Sequence, residues 1–173
     1  MLRELHKELG IHADYGLETG LQAFAEAIEL VEVGPNLVGH MQRLTPEAAK
    51  HWADMVAAAA AAKILLLVVS GFRGVDYQAD LIRKKIAAGQ QIGDILEVNT
   101  APGFSEHHTG RAVDIATPGS RPLTEEFENT EAFQWLTAEA AGFGFSMTYP
   151  RGNPWGISYE PWHWSHEKID ENK

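Results

Sequence analysis

A chain of 173 residues with 45% apolar and 22% charged side chains is long enough to form one soluble domain with its own core. It has no cysteine, which excludes thiolate zinc sites, cysteine nucleophiles and disulfides. A formal net charge of −10 at pH 7 disfavours phosphate backbones, so no nucleic-acid partner is expected, while a small or peptide substrate stays open.

The first ten residues are charged and amphipathic, with no basic patch ahead of an apolar stretch. No secretory signal is visible, so the chain as written reads as cytoplasmic, and as periplasmic or envelope-bound if a signal was trimmed. Leu21, Phe24, Ala25 and Ile28 recur at helical spacing and predict a short helix near 18–31, with an edge strand at Val31 to Val33. Thr45-Pro46-Glu47 is a helix start: Thr can cap, Pro suits the first position, and Glu favours the positive end of the dipole. Trp52, Met55, Val56 and Ala59 give that helix one apolar stripe. Ile64 to Val69 reads as a buried central strand and is too short to cross a membrane.

A second long helix is predicted from Val75 to Ala88, with Leu81, Ile82 and Ile86 inward and Gly89 as its stop. Asn99 to Phe104 is a loop, and Ala112 to Ala116 a short strand. Thr130 caps a helix presenting Phe133, Leu136 and Ala140, which ends before Gly142. Phe145 to Tyr149 and Trp162 to Trp164 complete the strands. This order implies an α+β fold in a single domain, with residues 1–44 as a helical extension packed on a core unit spanning 45–173.

Two segments carry chemistry. In Ser105-Glu106-His107-His108-Thr109-Gly110-Arg111-Ala112-Val113-Asp114, strand alternation sends Val113 and Ile115 to the core, and Asp114 to the other face between two alanines. Gly110 allows a tight turn that folds His107 back toward Asp114. In Glu160-Pro161-Trp162-His163, Pro161 breaks the strand so that Glu160 and His163 converge, and the flanking Trp162 and Trp164 mount the imidazole. His107, Asp114 and His163 would hold zinc with one position open for water, and Glu160 would act as its base. Arg73, directly after a buried strand, suits a carboxylate or an oxyanion, and Gln78 on the next helix could bond the same group. Glu106 and His166 read as solvated side chains, and His108 as a non-ligand.

These residues make the chain resemble the VanY-type zinc D-alanyl-D-alanine carboxypeptidases of the LAS group of peptidoglycan peptidases. The resemblance rests on Ser105-x-His107-x-x-Gly110-x-Ala112-x-Asp114 and Glu160-x-x-His163, with Ser70-Gly71-Phe72-Arg73 and Gln78 upstream, and covers about residues 45 to 165. It implies a small antiparallel sheet flanked by helices, as in the LAS and hedgehog-like folds. It also implies Zn2+ held by His107, Asp114 and His163, catalysis by Glu160 with Arg73, and substrate binding by Arg73, Gln78 and Ser105. The implied reaction removes the C-terminal D-alanine from a peptidoglycan stem peptide or muropeptide. Thr148-Tyr149-Pro150 lacks the Arg that many relatives carry before Tyr-Pro, and Ser165-His166-Glu167 departs from their usual continuation.

Three alternatives compete. A D,D-dipeptidase or a peptidoglycan endopeptidase would use the same site. Two His and one carboxylate also make an iron(II) triad, although there the first His and the carboxylate usually lie two positions apart and not seven. A non-catalytic wall-binding module would need no Glu160.

Overall fold

The computed structural model describes residues 1–17 and 19–167, so the last six residues of the 45–173 unit lie outside the described residues. The elements run α1 (Leu2–Glu8), β1 (Val31–Pro35), β2 (Met41–Leu44), α2 (Pro46–Ala61), β3 (Leu67–Ser70), α3 (Val75–Ala87), α4 (Ile92–Val98), β4 (Ala112–Ala116), α5 (Glu131–Glu139), β5 (Phe145–Met147) and β6 (His163–His166). Short 3-10 turns cover Glu106–Thr109, Glu125–Asn129 and Ala140–Phe143. Strands β3, β4, β6 and β5, in that order, form an antiparallel sheet, and β1 and β2 form a separate hairpin, so the strand expected to be central from Ile64 to Val69 starts only at Leu67 and lies at a sheet edge, with Leu65 exposed. This is the α+β, single-domain arrangement that the sequence implied. Among the described residues, no helix is long and apolar enough to cross a membrane.

The sheet turns one face to the core. Val113, Ile115, Phe145 and Trp164 pack there against Trp52 and Met55 of α2 and against Phe127 and Leu136. Burial of a large aliphatic or aromatic side chain such as Met55, Ile115, Phe127 or Leu136 contributes roughly 1.5–3 kcal/mol each. The fold is therefore held from behind the sheet, and the opposite face of β4 and β6 is free for chemistry. Pro46 opens α2 as expected, but the Thr45 side chain makes no cap bond; its backbone N–H donates to Gly110 O at 2.8 Å. On α3, Gln78, Ala79 and Ile82 are buried, whereas Ile86 is exposed.

The helix expected near 18–31 does not form over the described residues 19–30. Gly16 and Gly20 take positive φ, and the strap that follows spends its N–H groups on other parts of the chain. Phe24 N–H donates to Gly103 O and Ala27 N–H to His108 O, each at 2.8 Å, and Glu26 Oε1 accepts from the first N–H of α3. Ahead of the strap, Leu9 and Ile11 pack with Ala79, Ile82, Ile95 and Ala101. Helix α4 was not expected; it has only seven residues, and Ile95 buried in that same cluster holds it in place of intrinsic propensity.

Gly71 shows how closely the hairpin approaches the sheet. A Cβ built there would lie 2.6 Å from Arg43 O, while Phe72 N–H donates to that same oxygen at 2.8 Å. Gly71→Ala is therefore expected to cost about 1–3 kcal/mol, read by denaturant unfolding, because the hairpin must move away. The same shift would move the Gly71 carbonyl that holds His107 and so weaken metal binding.

Candidate metal centre and active site

Asp114 on β4 and His163 on β6 are direct cross-strand partners. Opposed residues of an antiparallel pair share a face, so the register alone brings the two together. His163 Nδ1 lies 3.0 Å from Asp114 Oδ1. His107 arrives from the 3-10 turn that Gly110 closes at φ 65, the left-handed conformation expected of that glycine. The His107 Nδ1–H donates to Gly71 O at 2.7 Å. Its Nε2 is then a bare lone pair, buried without a hydrogen-bond partner and 3.2 Å from Asp114 Oδ2.

His163 repeats this pattern. Its Nε2 lies 2.8 Å from Glu106 Oε2, which also accepts from Thr148 Oγ1 at 2.7 Å. A ring that donates from Nε2 to Glu106 keeps a lone pair on Nδ1, facing Asp114. With both rings neutral, two imidazole lone pairs would face this one carboxylate, an arrangement that either a proton on His163 or a cation between them satisfies. One donor atom from each of His107, Asp114 and His163 falls within 4.8 Å of the others, and all three side chains are buried. The donor set therefore fits a divalent ion such as zinc, with three protein ligands.

The electrostatics agree. Burial and then the Arg73 cation hold His107 down at about 4, so it stays neutral and able to coordinate. Burial would raise Asp114, but His107 and His163 hold it well below the usual carboxylate range. Burial would lower His163, but its bonds to Asp114 and Glu106 reverse this and hold it up at about 10. A proton on His163 and a divalent cation thus compete for the same negative pocket, and metal binding releases that proton.

Glu160 stands at the edge of this cluster, its Oε2 3.9 Å from His163 Nδ1. The chain reverses over Glu160 to His163 around Pro161, with His163 N–H donating to Glu160 O at 3.1 Å. Burial first, then the Asp114 and Glu106 charges, push the Glu160 carboxyl up to about 7 against the pull of His163 and Arg73. A carboxyl poised there exchanges protons readily near neutral pH.

Arg73 lies on the other side, with Nη2 3.9 Å from Asp114 Oδ2 and Nε buried without a partner. Gln78 is fully buried; its Nε2 donates to Thr100 O at 2.8 Å, and its Oε1 has no partner. Both residues line a small hole of about 20 Å³, together with Ser105, Tyr149 and Glu160. Larger openings meet this point at Arg73. A groove of about 450 Å³ runs from Asp114 and Arg73 past Phe72 and Tyr77 to Arg43. A second, of about 300 Å³, is lined by Lys85, Asn99 and Glu160.

All seven residues singled out from the sequence are thus brought to one place. Four others were missed. Glu106 is not a solvated loop acid, since its side chain is only 16% exposed and bonded to His163. Thr148 fixes Glu106, and the buried Tyr149 packs against His163 with ring centroids 4.9 Å apart and planes tilted by 40°. Lys85 lines the smaller groove, where burial and Arg73 lower its pKa. The position of Glu106 beside His107 was the one signal available. His108 is a non-ligand as expected: its Nδ1–H donates to Arg73 O, and its Nε2 accepts from Gly103 N–H.

His166 also departs from expectation, because it is buried. Its Nδ1 accepts from Arg111 Nη2 at 3.0 Å, so its Nε2–H faces His51 Nδ1. Burial first, then the Arg111 and His51 charges, lower its pKa. In the unfolded chain this ring takes a proton near its ordinary pKa of about 6.5, and in the folded chain it resists. Stability is therefore expected to fall as pH drops from about 7 to 5, and His166→Asn should flatten that slope relative to the parent, read from melting curves across the range.

Fold and donor set together define a metal-dependent hydrolase built on a small antiparallel sheet. The chain belongs to the VanY D-alanyl-D-alanine carboxypeptidase family, whose profile matches residues 41–169. A D-alanyl-D-alanine carboxypeptidase of Enterococcus faecalis is 32% identical over 127 residues, which is 68% of this chain and 46% of that protein. The bifunctional D-Ala-D-Ala dipeptidase and carboxypeptidase VanXYC of Enterococcus gallinarum is 29% identical over 139 residues, 78% of this chain and 72% of that protein. The chain thus spans about half the length of the Enterococcus faecalis relative. Among solved structures, the LdcB LD-carboxypeptidase superposes with a TM-score of 0.71 at 29% identity, covering 82% of this chain and 69% of that one. A vancomycin-resistance D,D-pentapeptidase VanY in complex with Zn(II) gives 0.64 at 25% identity, covering 88% and 90%.

Proposed function

We propose that the protein is a zinc-dependent D-alanyl-D-alanine carboxypeptidase that removes the C-terminal D-alanine from peptidoglycan stem peptides. The observation that carries this reading is the convergence of His107 Nε2, buried without a hydrogen-bond partner, Asp114 and His163 on one point, beside a buried Glu160 poised near neutrality. Held by His107, Asp114 and His163, zinc would supply an acidified water and a Lewis acid for the scissile carbonyl.

The chain's own groups supply the rest. Glu160 takes the proton of the attacking water and returns it to the departing amine of D-alanine. Arg73, with unpaired Nε and Nη2 near Asp114, meets the negative charge that develops on the carbonyl oxygen or the carboxylate of the leaving residue. Ser105 and Gln78 line the hole beside it, where the free Gln78 Oε1 offers an acceptor to a substrate N–H. The hole suits a methyl-sized side chain. The two grooves leave room for the rest of a stem peptide, which favours a muropeptide over free D-Ala-D-Ala. The wall-acting relatives support a role outside the cytoplasmic membrane. Residues 1–44 serve, on this reading, as an extension that braces the loop carrying His107.

The LdcB likeness favours one second reading, an L,D-carboxypeptidase acting on tetrapeptide stems. Incubating the zinc-loaded protein with muramyl pentapeptide, muramyl tetrapeptide and free D-Ala-D-Ala, with products identified by mass, separates these readings. Release of D-alanine from the pentapeptide is expected. Cleavage of the tetrapeptide alone would establish the second reading, and no cleavage of any of the three would refute both.

A further inference from the structure

We propose that Glu106, held by Thr148, is a positioning residue that fixes the tautomer and ring orientation of His163 toward the metal, an inference that rests on the zinc reading above. Glu106 Oε2 receives two bonds, from His163 Nε2 at 2.8 Å and from Thr148 Oγ1 at 2.7 Å. Its side chain is 16% exposed and that of His163 is 3% exposed, so this is no solvated surface pair.

An imidazole can present either nitrogen, and a flip of the ring exchanges each nitrogen for a carbon. Packing does not decide between these states. Tyr149 and His107 both pack against the His163 ring, with centroids 4.9 Å away and planes inclined by 40° and 77°, and such apolar contact does not tell a ring nitrogen from a ring carbon. The bond from Nε2 to Glu106 makes that choice. In the neutral ring that would hold the metal, it keeps the hydrogen on Nε2 and turns the Nδ1 lone pair toward Asp114. An anionic outer partner also makes a ligating imidazole a stronger donor.

The two imidazoles are therefore not equivalent. His107 leans on a neutral carbonyl, Gly71 O, and His163 on a carboxylate. One 3-10 turn, Glu106–Thr109, supplies both the first ligand and the outer partner of the last. Thr148 comes from the segment just after β5, so the bond to Glu106 also ties that segment to the turn.

The test is zinc affinity by chelator competition, together with 15N NMR of the histidine rings in the zinc-loaded protein. Glu106→Ala is expected to bind zinc about 10- to 100-fold more weakly, the usual cost of losing such a partner. Glu106→Gln keeps an acceptor without charge and should fall between parent and Glu106→Ala. Thr148→Val keeps the volume but frees Glu106, and should weaken zinc by a smaller factor while the fold persists. In the parent, His163 should show one state, with hydrogen on Nε2; in Glu106→Ala that single state should be lost. Should Glu106→Ala fail to fold, Thr148→Val and Glu106→Gln decide. Affinities within about twofold of the parent in the folded variants, with His163 still in one tautomer, would overturn the positioning role alone. A parent that binds no zinc would overturn the reading beneath it.

Discussion

Glu160→Gln is expected to keep its zinc and lower kcat by about 10²- to 10⁴-fold, the range that a positioned general base contributes. The change preserves shape and removes only the ability to hold a proton. Its structural cost is small. Among the described residues the Glu160 side chain makes no hydrogen bond, and its ion pair with His163 Nδ1 is long, at 3.9 Å. The raised pKa of Glu160 arises from burial and from the carboxylates of Asp114 and Glu106. A neutral amide relieves that crowding, so the melting temperature should hold or rise. Turnover on the pentapeptide, measured with metal content on the same sample, checks both halves. A kcat within about tenfold of the parent, with zinc still bound, would remove Glu160 from the role of base.

Asp114→Asn is expected to weaken zinc by more than about 100-fold, beyond what the loss of an outer partner costs, and to make activity depend on added zinc. The carboxylate is the point on which both imidazoles converge, 3.0 Å from His163 Nδ1 and 3.2 Å from His107 Nε2. Its charge is also what draws a dication into a pocket that Arg73 otherwise makes less negative. The amide is nearly isosteric, and the core packs on the opposite face of β4, so the variant should fold. Chelator competition gives the affinity, and titration of zinc into the assay should restore part of the rate. Unchanged affinity in this variant would place the ion elsewhere.

The donor set was legible because its geometry follows from short-range rules. Alternation in Ala112 to Ala116, a turn-forming Gly110 and the break at Pro161 suffice to aim Asp114, His107 and His163 at one point. What escaped depended on the far side of a contact. Glu106 looks like any loop acid until β6 places His163 beside it, and His166 looks solvated until α2 brings His51 against it. Residues 19–30 carry an apolar period that suits a helix, yet their N–H groups find partners in Gly103 and His108. Propensity lost there to tertiary hydrogen bonding, which no local window reveals.

The pairing of Asp114 with His163 makes the donor set intolerant of slippage between β4 and β6. Sliding β6 by a single residue along β4 would carry Trp164 to the open face and drive His163 into the hydrocarbon interior. Most of the excursion from Thr117 to Tyr159 is fixed as well, Phe127, Leu136 and Phe145 in the core and Thr148 on Glu106, but its exposed turn at residues 118–123 is not, and Leu123 there lines both grooves. That turn can grow, shrink or be exchanged while β4, β6 and the side chains they pair stay in place. Variation in groove shape should therefore accumulate there, outside the paired strands and beside the side chains they carry.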